Sequence, residues 1–463
     1  MGTRVECDSM GEMHVPDTAY YGAQTQRAVE NFPVSGLTMP VGLIRALGMI
    51  KRAAAKVNND LGLLDKERSE AIIQAAQEVI DGKFDDQFPI DVFQTGSGTS
   101  SNMNANEVIG NRASELMGGT IGSREPVHPN DHVNKGQSSN DVIPTAIHVA
   151  TSLALVNALI PALKELHKAL DRKAKDFDAI LKIGRTHLQD ATPIRLGQEF
   201  SGYAAMVKNG VDRMVRAREA VSQLAIGGTA VGTGINTHVA FGQRMAAELS
   251  NLGGVKFVEA PNHFEGQATA DSAVEVSGAL KTVAVSLSKI ANDIRWLGSG
   301  PRAGLGELRL PEVQPGSSIM PGKVNPVICE AMIQTCAQVI GNDAAVTQGG
   351  LGGVFELNLM LPLVARNLLE GIEFLAGAAT MFKEKLVDGL GADEQKCADY
   401  IEGSLAMCTS LAPVIGYDAA AAIAKEAHAT GKTVREVARE KQVVSEEELT
   451  RLLDPMSMTK PKG

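Results

Sequence analysis

The sequence predicts an all-α protein, and two observations carry this prediction. Aromatic residues make up only 4% of the 463 residues. Ala, Leu, Met and Val must therefore fill the interior, which favours helices over a β-sandwich. Apolar residues recur at helical spacing over long stretches, whereas alternating strand patterns are scarce outside the N-terminal region. The shares of hydrophobic residues (44%) and charged residues (21%) are typical of a globular chain with a large core.

The longest helical pattern is an apolar seam that continues for about three heptads. Its members recur at spacings of three and four: Val276, Leu280, Val283, Leu287, Ile290, Ile294 and Leu297. Small residues between them would let a second helix approach closely, and Gly298 marks the end of the pattern. We therefore predict a helix that is buried on more than one side, in a bundle that continues into other subunits.

Changes in composition near Gln137 and Gly391 predict three domains. Residues 1–137 form a mixed, mostly helical N-terminal domain, residues 138–393 a central domain of long helices, and residues 394–463 a small, charged helical domain. In the last of these, Ser445 is placed to cap a short helix. In the central domain, Pro161 is placed to kink a helical pattern that reaches Phe177.

Charge, hydropathy and cysteine usage exclude several classes of protein. A net charge of −10 argues against nucleic acid as a partner. No run of 18 apolar residues indicates a membrane span, and no apolar segment follows the N-terminus as a secretory signal would. Five cysteines without a CxxC pair predict reduced thiols and a cytoplasmic location, with an organelle matrix as the alternative. Among the nine histidines, His128 and His132 are four residues apart, but Pro129 between them weakens a helical metal pair, so we expect no metal.

Four polar segments interrupt the helical patterns. They are TGSGTSSNMNANE (95–107), HPNDHVNKGQSSND (128–141), GRTHLQDATP (184–193) and GSSIMPGKVNP (316–326). Hydroxyl groups, carboxamides, backbone N–H groups and one ammonium could together hold two carboxylates. The same residue types also cap helices, so a purely structural role remains an alternative. The glycine-rich stretch 227–236 lacks the Gly-Lys-Ser/Thr of a phosphate-binding loop.

Each polar segment is predicted to open a helix. Asn140 and Asp141 come just before a helical run that carries Pro144 in its first turn. Asn325 followed by Pro326 has the pattern of an N-cap and a first helical residue. Lys323 would then lie where a helix dipole already favours an anion.

The four segments, in this order, resemble the fumarase/aspartase superfamily over essentially the whole chain. Gly322 and His187 resemble the class II fumarate hydratases, since aspartate ammonia-lyases typically carry Ala and Gln there. The resemblance implies a homotetramer of three-domain chains with a 20-helix core and active sites shared between three subunits. It would also explain the apolar seam, which one chain could not easily cover. His132, Gly136 and Ser100 depart from residues common in the family.

The resemblance also implies an activity and a set of site residues. The activity is the reversible hydration of fumarate to (S)-malate in the tricarboxylic acid cycle, by acid–base chemistry without a metal or a cofactor. The implied catalytic residues are Ser317 as the base, His187 paired with Glu330, and Lys323. The implied substrate-binding residues are Ser97, Gly98, Thr99, Ser138, Ser139, Asn140, Thr186, Ser318, Lys323, Val324 and Asn325. A second dicarboxylate site is implied at His128, Pro129, Asn130 and Asp131.

Two alternatives to this activity remain open from the sequence. One is an aspartate ammonia-lyase of the same superfamily. The other is a non-catalytic structural protein built on the same fold, against which the presence of His187, Ser317, Lys323 and Glu330 argues. Neither nucleic acid nor a membrane is expected as a partner.

Overall fold

Helices dominate the structure of the chain, a computed structural model that describes residues 2–461. This confirms the predicted all-α class. The helices are α1 (Ala23–Asn31), α2 (Val41–Asp60), α3 (Lys66–Ile80), α4 (Thr99–Leu116), α5 (Ser139–Ala154), α6 (Ile160–Asp176), α7 (Leu196–Ala220), α8 (Phe241–Gly253), α9 (His263–Ala268), α10 (Asp271–Leu297), α11 (Val327–Gly350), α12 (Leu361–Phe382), α13 (Glu394–Gly403), α14 (Ala412–Ile415), α15 (Tyr417–Thr430), α16 (Val434–Glu440) and α17 (Glu446–Leu452).

The strands are short and lie in two-stranded sheets. They are β1 (Thr3–Asp8), β2 (Gly11–Pro16), β3 (Leu181–Thr186), β4 (Gln189–Arg195), β5 (Gln223–Leu224), β6 (Val258–Glu259), β7 (Leu308–Arg309), β8 (Gly353–Val354), β9 (Leu357–Asn358) and β10 (Gly391–Ala392). β1 pairs with β2, β3 with β4, β7 with β10 and β8 with β9, all antiparallel. β5 and β6 pair in parallel. The N-terminal hairpin is where the sequence predicted strands, whereas the β3–β4 hairpin was missed.

The chain folds into two compact units, each assembled from separate segments. The first unit contains the residues up to Pro161, Asp212–Ala284 and Cys336–Ala376. The second contains Ala162–Val211, Val285–Thr335 and the residues from Gly377 onward. The predicted division into domains at 137/138 and 393/394 is a different description of the chain and stays a prediction.

Helix α2 organises the core of the first unit. It packs against α3, α4, α5 and α8. Its buried face includes Leu43, Leu47 and Ile50, each at most 1% exposed. Leucine and isoleucine at these spacings form the apolar stripe that a core helix needs.

One helical run in the described part of the chain is long and apolar enough to cross a membrane. It extends from Ser139 to Asp176 and includes a one-turn π-helix at Leu155–Leu159, just before Pro161. Polar residues such as His148 and Thr151 interrupt this run, so the sequence contains no unbroken apolar stretch of membrane-spanning length here. Its most apolar window is 56% buried, and α5 packs against α2 and α4, as expected of a core helix.

The second unit contains a small C-terminal core. Its buried residues come from α13, α15, α16 and α17, from the 3₁₀ segment Leu405–Ser410 and from Leu411, which follows that segment; they include Ile401, Ile423, Val437 and Leu452. Leu181 of β3 packs against this cluster. Ser445 accepts a hydrogen bond from the Glu448 backbone N–H at the start of α17, which confirms the predicted cap.

The apolar seam of α10 is covered within a single chain. All seven of its members are at most 4% exposed. The expectation that one chain could not cover this seam is therefore wrong. Other positions on α10 remain accessible, since Val285 is 55% exposed and Trp296 is 46% exposed.

The five cysteines are all free, as predicted. Cys329, Cys336 and Cys397 are buried, Cys408 is partly buried and Cys7 is exposed. Burial raises the pKa of the Cys329 thiol to about 12, so this thiol is un-ionised and unreactive.

A buried carboxylate fixes the N-terminal region onto α4. The Glu107 side chain accepts hydrogen bonds from the backbone N–H groups of Gly22, Gln24 and Thr25 at 2.9–3.1 Å. It also accepts one from the Thr25 hydroxyl at 2.6 Å. Glu107 therefore satisfies donors at the start of α1 that would otherwise have no intrahelical partner.

We expect Glu107→Ala to lower the free energy of unfolding by about 3–5 kcal/mol, because it leaves four donors without a buried acceptor. Thermal and urea unfolding at fixed protein concentration measure the effect. Glu115→Ala is the matched control on the same helix, since Glu115 is 37% exposed and should contribute less than about 1 kcal/mol. Equal losses in the two variants would contradict the assigned role of Glu107.

Candidate active site

A chain of hydroxyl groups lines one cavity of the first unit. Ser97 Oγ lies 2.8 Å from Thr99 Oγ1, and Thr99 Oγ1 lies 2.7 Å from Ser139 Oγ. Thr99, Ser138 and Ser139 face a cavity of about 390 Å³. The first and second polar segments therefore meet at this cavity, through two residues that are 40 positions apart in sequence.

Two helices begin at this cavity. Thr99 is the first residue of α4, and it follows Gly98, which adopts the left-handed conformation (φ +71°). Ser139 is the first residue of α5, and Ser138 caps that helix. The positive ends of both helix dipoles therefore lie beside the hydroxyl chain, an arrangement that favours bound anions.

The start of α5 differs in detail from the prediction. Asn140 and Asp141 lie inside the first turn rather than before it, and Pro144 lies in the second turn. Asp141 and Ser138 form a capping box. The Asp141 carboxylate accepts from the Ser138 backbone N–H at 2.9 Å, and the Ser138 hydroxyl oxygen accepts from a backbone N–H of the first turn. The Asn140 side chain donates to the Ala230 carbonyl at 2.8 Å.

The glycine-rich stretch 227–236 forms another wall of this cavity. Thr229, Ala230, Ile235 and Asn236 line it. The Asp141 carboxylate holds the stretch by accepting from the Gly227 N–H at 3.0 Å and from the Thr229 N–H at 2.9 Å. Sequence reasoning compared this stretch only with phosphate-binding loops and so missed its place at the cavity.

Sequence reasoning also missed Lys51, on α2. Its ammonium donates to the side-chain oxygens of Asn102, Asn134 and Gln137, which line the same cavity. Burial lowers the pKa of Lys51 to about 7. A usable signal was present in the sequence, since Lys51 lies four residues after Leu47 on the apolar face of α2, where a charged side chain is unusual.

The implied second dicarboxylate site also lies in the first unit. His128 Nδ1 accepts from the N–H groups of Asn130 and Asp131 at 3.2 Å, at the start of the one-turn π-helix Pro129–Val133. His128 and Asp131 face a cavity of about 770 Å³ that Arg68 and Arg124 also line. Pro129 and Asn130 lie between His128 and Asp131 in sequence but do not line this cavity, and the two guanidinium groups supply positive charge.

In the second unit, the segment 184–193 is a hairpin rather than the start of a helix, which corrects the prediction. Thr186 ends β3, Gln189 begins β4, and these two residues are paired. His187 and Leu188 form the two-residue turn with φ of +56° and +61°. Positive φ at both central positions defines a type I′ turn, for which Asn-Gly is the usual sequence.

His187 is exposed at the tip of this hairpin and faces a cavity of about 450 Å³. Lys182 and Arg185 line the same cavity. Arg185 donates to both oxygens of the buried Glu307 carboxylate at 2.8 and 3.0 Å. This bidentate pair fixes β3, which precedes the strained turn.

The segment 316–326 is a loop with a closed base and an exposed tip. The Gly316 N–H donates to the Lys323 carbonyl at 2.7 Å, and the Asn325 side chain donates to the Gly316 carbonyl at 2.6 Å. At the tip, Ile319 is 84% exposed. Ser317 Oγ accepts from the N–H groups of Ile319 and Met320 at 3.2 and 3.0 Å.

The predicted side-chain cap by Asn325 is wrong. Helix α11 begins at Val327, and the first helical hydrogen bond runs from the Glu330 N–H to the Pro326 carbonyl. The Asn325 side chain closes the loop base instead. Lys323 nevertheless lies just before the helix, as expected.

The remaining implied residues of the second unit fall into two groups. Lys323, Val324, Asn325 and Glu330 line a cavity of about 600 Å³. His187 lines a different cavity, and among residues 2–461 no hydrogen bond or salt bridge joins it to Glu330. The implied pairing of His187 with Glu330 stays a prediction, as do the substrate contacts of Thr186 and Ser318.

Comparisons with known proteins place this chain in a family. A sequence profile described as Lyase matches residues 11–341, and one described as Fumarase C C-terminus matches residues 407–460. A class II fumarate hydratase of Halobacterium salinarum is 59% identical over 98% of this chain and 97% of its own length. The mitochondrial fumarate hydratase of Homo sapiens is 53% identical over 99% of this chain and 90% of its own length.

A solved structure is similar to this chain over its whole length. The recombinant class II fumarase of Schistosoma mansoni superposes with a TM-score of 0.97 and 40% identity, over 100% of both chains. The match in sequence and the match in fold both extend through the four polar segments and the C-terminal helices. The chain therefore belongs to the lyase family that includes the class II fumarate hydratases.

Proposed function

We propose that this chain catalyses the reversible hydration of fumarate to (S)-malate. The observation that carries the proposal is the hydroxyl chain of Ser97, Thr99 and Ser139 at the N-termini of two helices. Neutral donors and helix dipoles bind a carboxylate without trapping it through excess charge. Family membership and the names of the relatives support the same substrate class, a small dicarboxylate.

The reaction requires a base at carbon and stabilisation of developing charge. Removing a proton next to a carboxylate of malate produces an aci-carboxylate, so the bound species becomes a trianion. We assign Ser317 as the base. Its Oγ already accepts two backbone N–H bonds, from Ile319 and Met320, and these donors would stabilise the alkoxide that acts as base.

Two further roles remain to be assigned: proton transfer to the hydroxyl group that leaves malate, and stabilisation of the additional negative charge. His187, oriented by Glu330, would protonate the departing hydroxyl group in one direction and activate water in the other. Lys323 would offset the additional negative charge. We propose that the chain is a homotetramer in which segments of three subunits complete each site, because His187 and Glu330 line separate cavities within one chain.

The experiment compares two substrates on the purified full-length chain. (S)-Malate and aspartate are supplied separately, and the ultraviolet absorbance of the fumarate formed is followed. Product from malate supports the proposal, whereas product from aspartate alone would make the chain an ammonia-lyase. Absence of product from both would favour a structural protein. A cytoplasmic location is part of the proposal, and the five free cysteines support it.

A further inference from the structure

Lys51 places an amino group behind the hydroxyl-lined cavity; burial lowers its pKa, whereas the three acceptor oxygens around Nζ favour the protonated form, which has three N–H donors. The residue is 0% exposed. Its Nζ donates to Asn102 Oδ1 at 2.7 Å, Asn134 Oδ1 at 3.0 Å and Gln137 Oε1 at 2.9 Å. Because all three acceptors line the cavity, the ammonium lies one layer of side chains behind its wall.

The charge of Lys51 has no direct counter-ion. Within residues 2–461, no carboxylate forms a salt bridge with its ammonium, and its three acceptors are neutral amides. Asp141 acts on Lys51 at longer range, but its carboxylate already accepts three backbone N–H bonds. A buried charge with only neutral partners is costly, and its potential extends further than that of a paired one.

The same ammonium connects the two segments that carry the hydroxyl chain. Asn102 lies in the first turn of α4, which begins with Thr99. Asn134 and Gln137 belong to the loop that leads into Ser139. The Asn134 side chain also donates to the Gln137 carbonyl at 3.1 Å, so the loop is braced from within. Without the ammonium, the two walls would keep the Thr99–Ser139 hydroxyl pair and the Asn102–Asn134 side-chain bond at 3.3 Å, but they would lose the charged donor that both share.

We propose that Lys51 is a positioning residue of the dicarboxylate pocket. It fixes the wall that carries Thr99 and Ser139, and it supplies the positive potential that draws a dianion there. This inference rests on the proposed function, because it takes this cavity to be the one that binds substrate. A chain with a net charge of −10 repels a dianion at long range, so a local cation is needed to collect it.

The test compares Lys51→Met, Lys51→Arg and the wild-type chain. Methionine keeps much of the apolar stem and removes the charge, whereas arginine keeps both charge and donors. Lys56→Met is the matched control, because Lys56 lies on the same helix with its side chain 48% exposed. Steady-state kinetics with malate and calorimetric binding of succinate, a dianion, are measured for each protein.

We expect Lys51→Met to raise KM for malate and Kd for succinate by about tenfold while kcat stays within about threefold, the pattern of lost ground-state binding. Lys51→Arg should recover most of the affinity, and Lys56→Met should match the wild type. Unchanged KM and Kd in Lys51→Met would overturn the proposal. A fall in kcat with KM unchanged would also overturn it.

Two further measurements apply if Lys51→Met does not fold or if the wild-type chain has no activity with malate. If Lys51→Met does not fold, as judged by circular dichroism, Asn134→Ala removes one link and should raise KM about threefold; an unchanged KM would then overturn the proposal. If the wild-type chain converts no malate, the proposed function fails by itself. Succinate binding then still decides the role of Lys51, because it requires no turnover.

Discussion

Replacing Ser317 by alanine is expected to lower kcat for malate by about 10²–10⁴-fold, the scale of a lost general base. The Ser317 oxygen accepts two backbone N–H bonds from within its own loop. Such donors stabilise an oxyanion, which a serine must become in order to accept a proton from carbon. KM should change less than kcat, because the substrate carboxylates are assigned to other residues.

The same two hydrogen bonds also allow a simpler role for Ser317 as a turn residue. Ser317→Asn separates the two roles, because an asparagine side-chain oxygen can accept the same N–H bonds in an Asx-turn but cannot act as the base. We expect Ser317→Asn to be as inactive as Ser317→Ala. Turnover within about threefold of the wild type in Ser317→Asn would refute the catalytic assignment. Ser201→Ala, at an exposed position on α7, is the control.

Local sequence patterns predicted the features that depend on nearby residues. The cap at Ser445 follows from a short polar side chain placed directly before a helical run, whereas α5 begins earlier than predicted and is capped by Ser138. The α10 seam follows from regular spacing of apolar residues. Its coverage by a single chain could not be predicted, because spacing shows which face is apolar and not which element packs on it.

Features that depend on contacts distant in sequence were missed. The hairpin turn at His187 and Leu188 carries neither Asn nor Gly, so the usual turn signal is absent. Asn325 has the pattern of a helix cap, but α11 begins only at Val327, and the Asn325 side chain donates to the Gly316 carbonyl, nine residues earlier. The position of Lys51 on the apolar face of α2 indicates burial, but its three amide partners come from two other segments and could not be predicted from local spacing.

The strained turn at His187 is consistent with the role that the proposed reaction assigns to this residue. A non-glycine residue with positive φ costs of order 1–3 kcal/mol and persists where the fold over-determines it. Here the paired strands β3 and β4 and the Arg185–Glu307 pair hold the turn in place. The strain leaves the His187 imidazole exposed at a fixed point, where a second segment can meet it.

We expect His187→Asn to lower kcat by about 10²–10⁴-fold with little loss of stability. Asparagine tolerates the left-handed conformation that His187 adopts, so the hairpin should persist. It has no group that exchanges a proton near neutral pH, so protonation of the departing hydroxyl is lost. Kinetics with malate and the thermal midpoint measure the two effects independently.

Leu188→Gly is the matched control, because it changes the other residue of the same turn. Glycine adopts the observed φ of +61° without strain, so this variant should be more stable and retain the imidazole. Its kcat should stay within about threefold of the wild type. If both variants lose activity equally, the geometry of the turn rather than the imidazole is required. If His187→Asn keeps wild-type turnover, the proton-transfer step belongs to another residue.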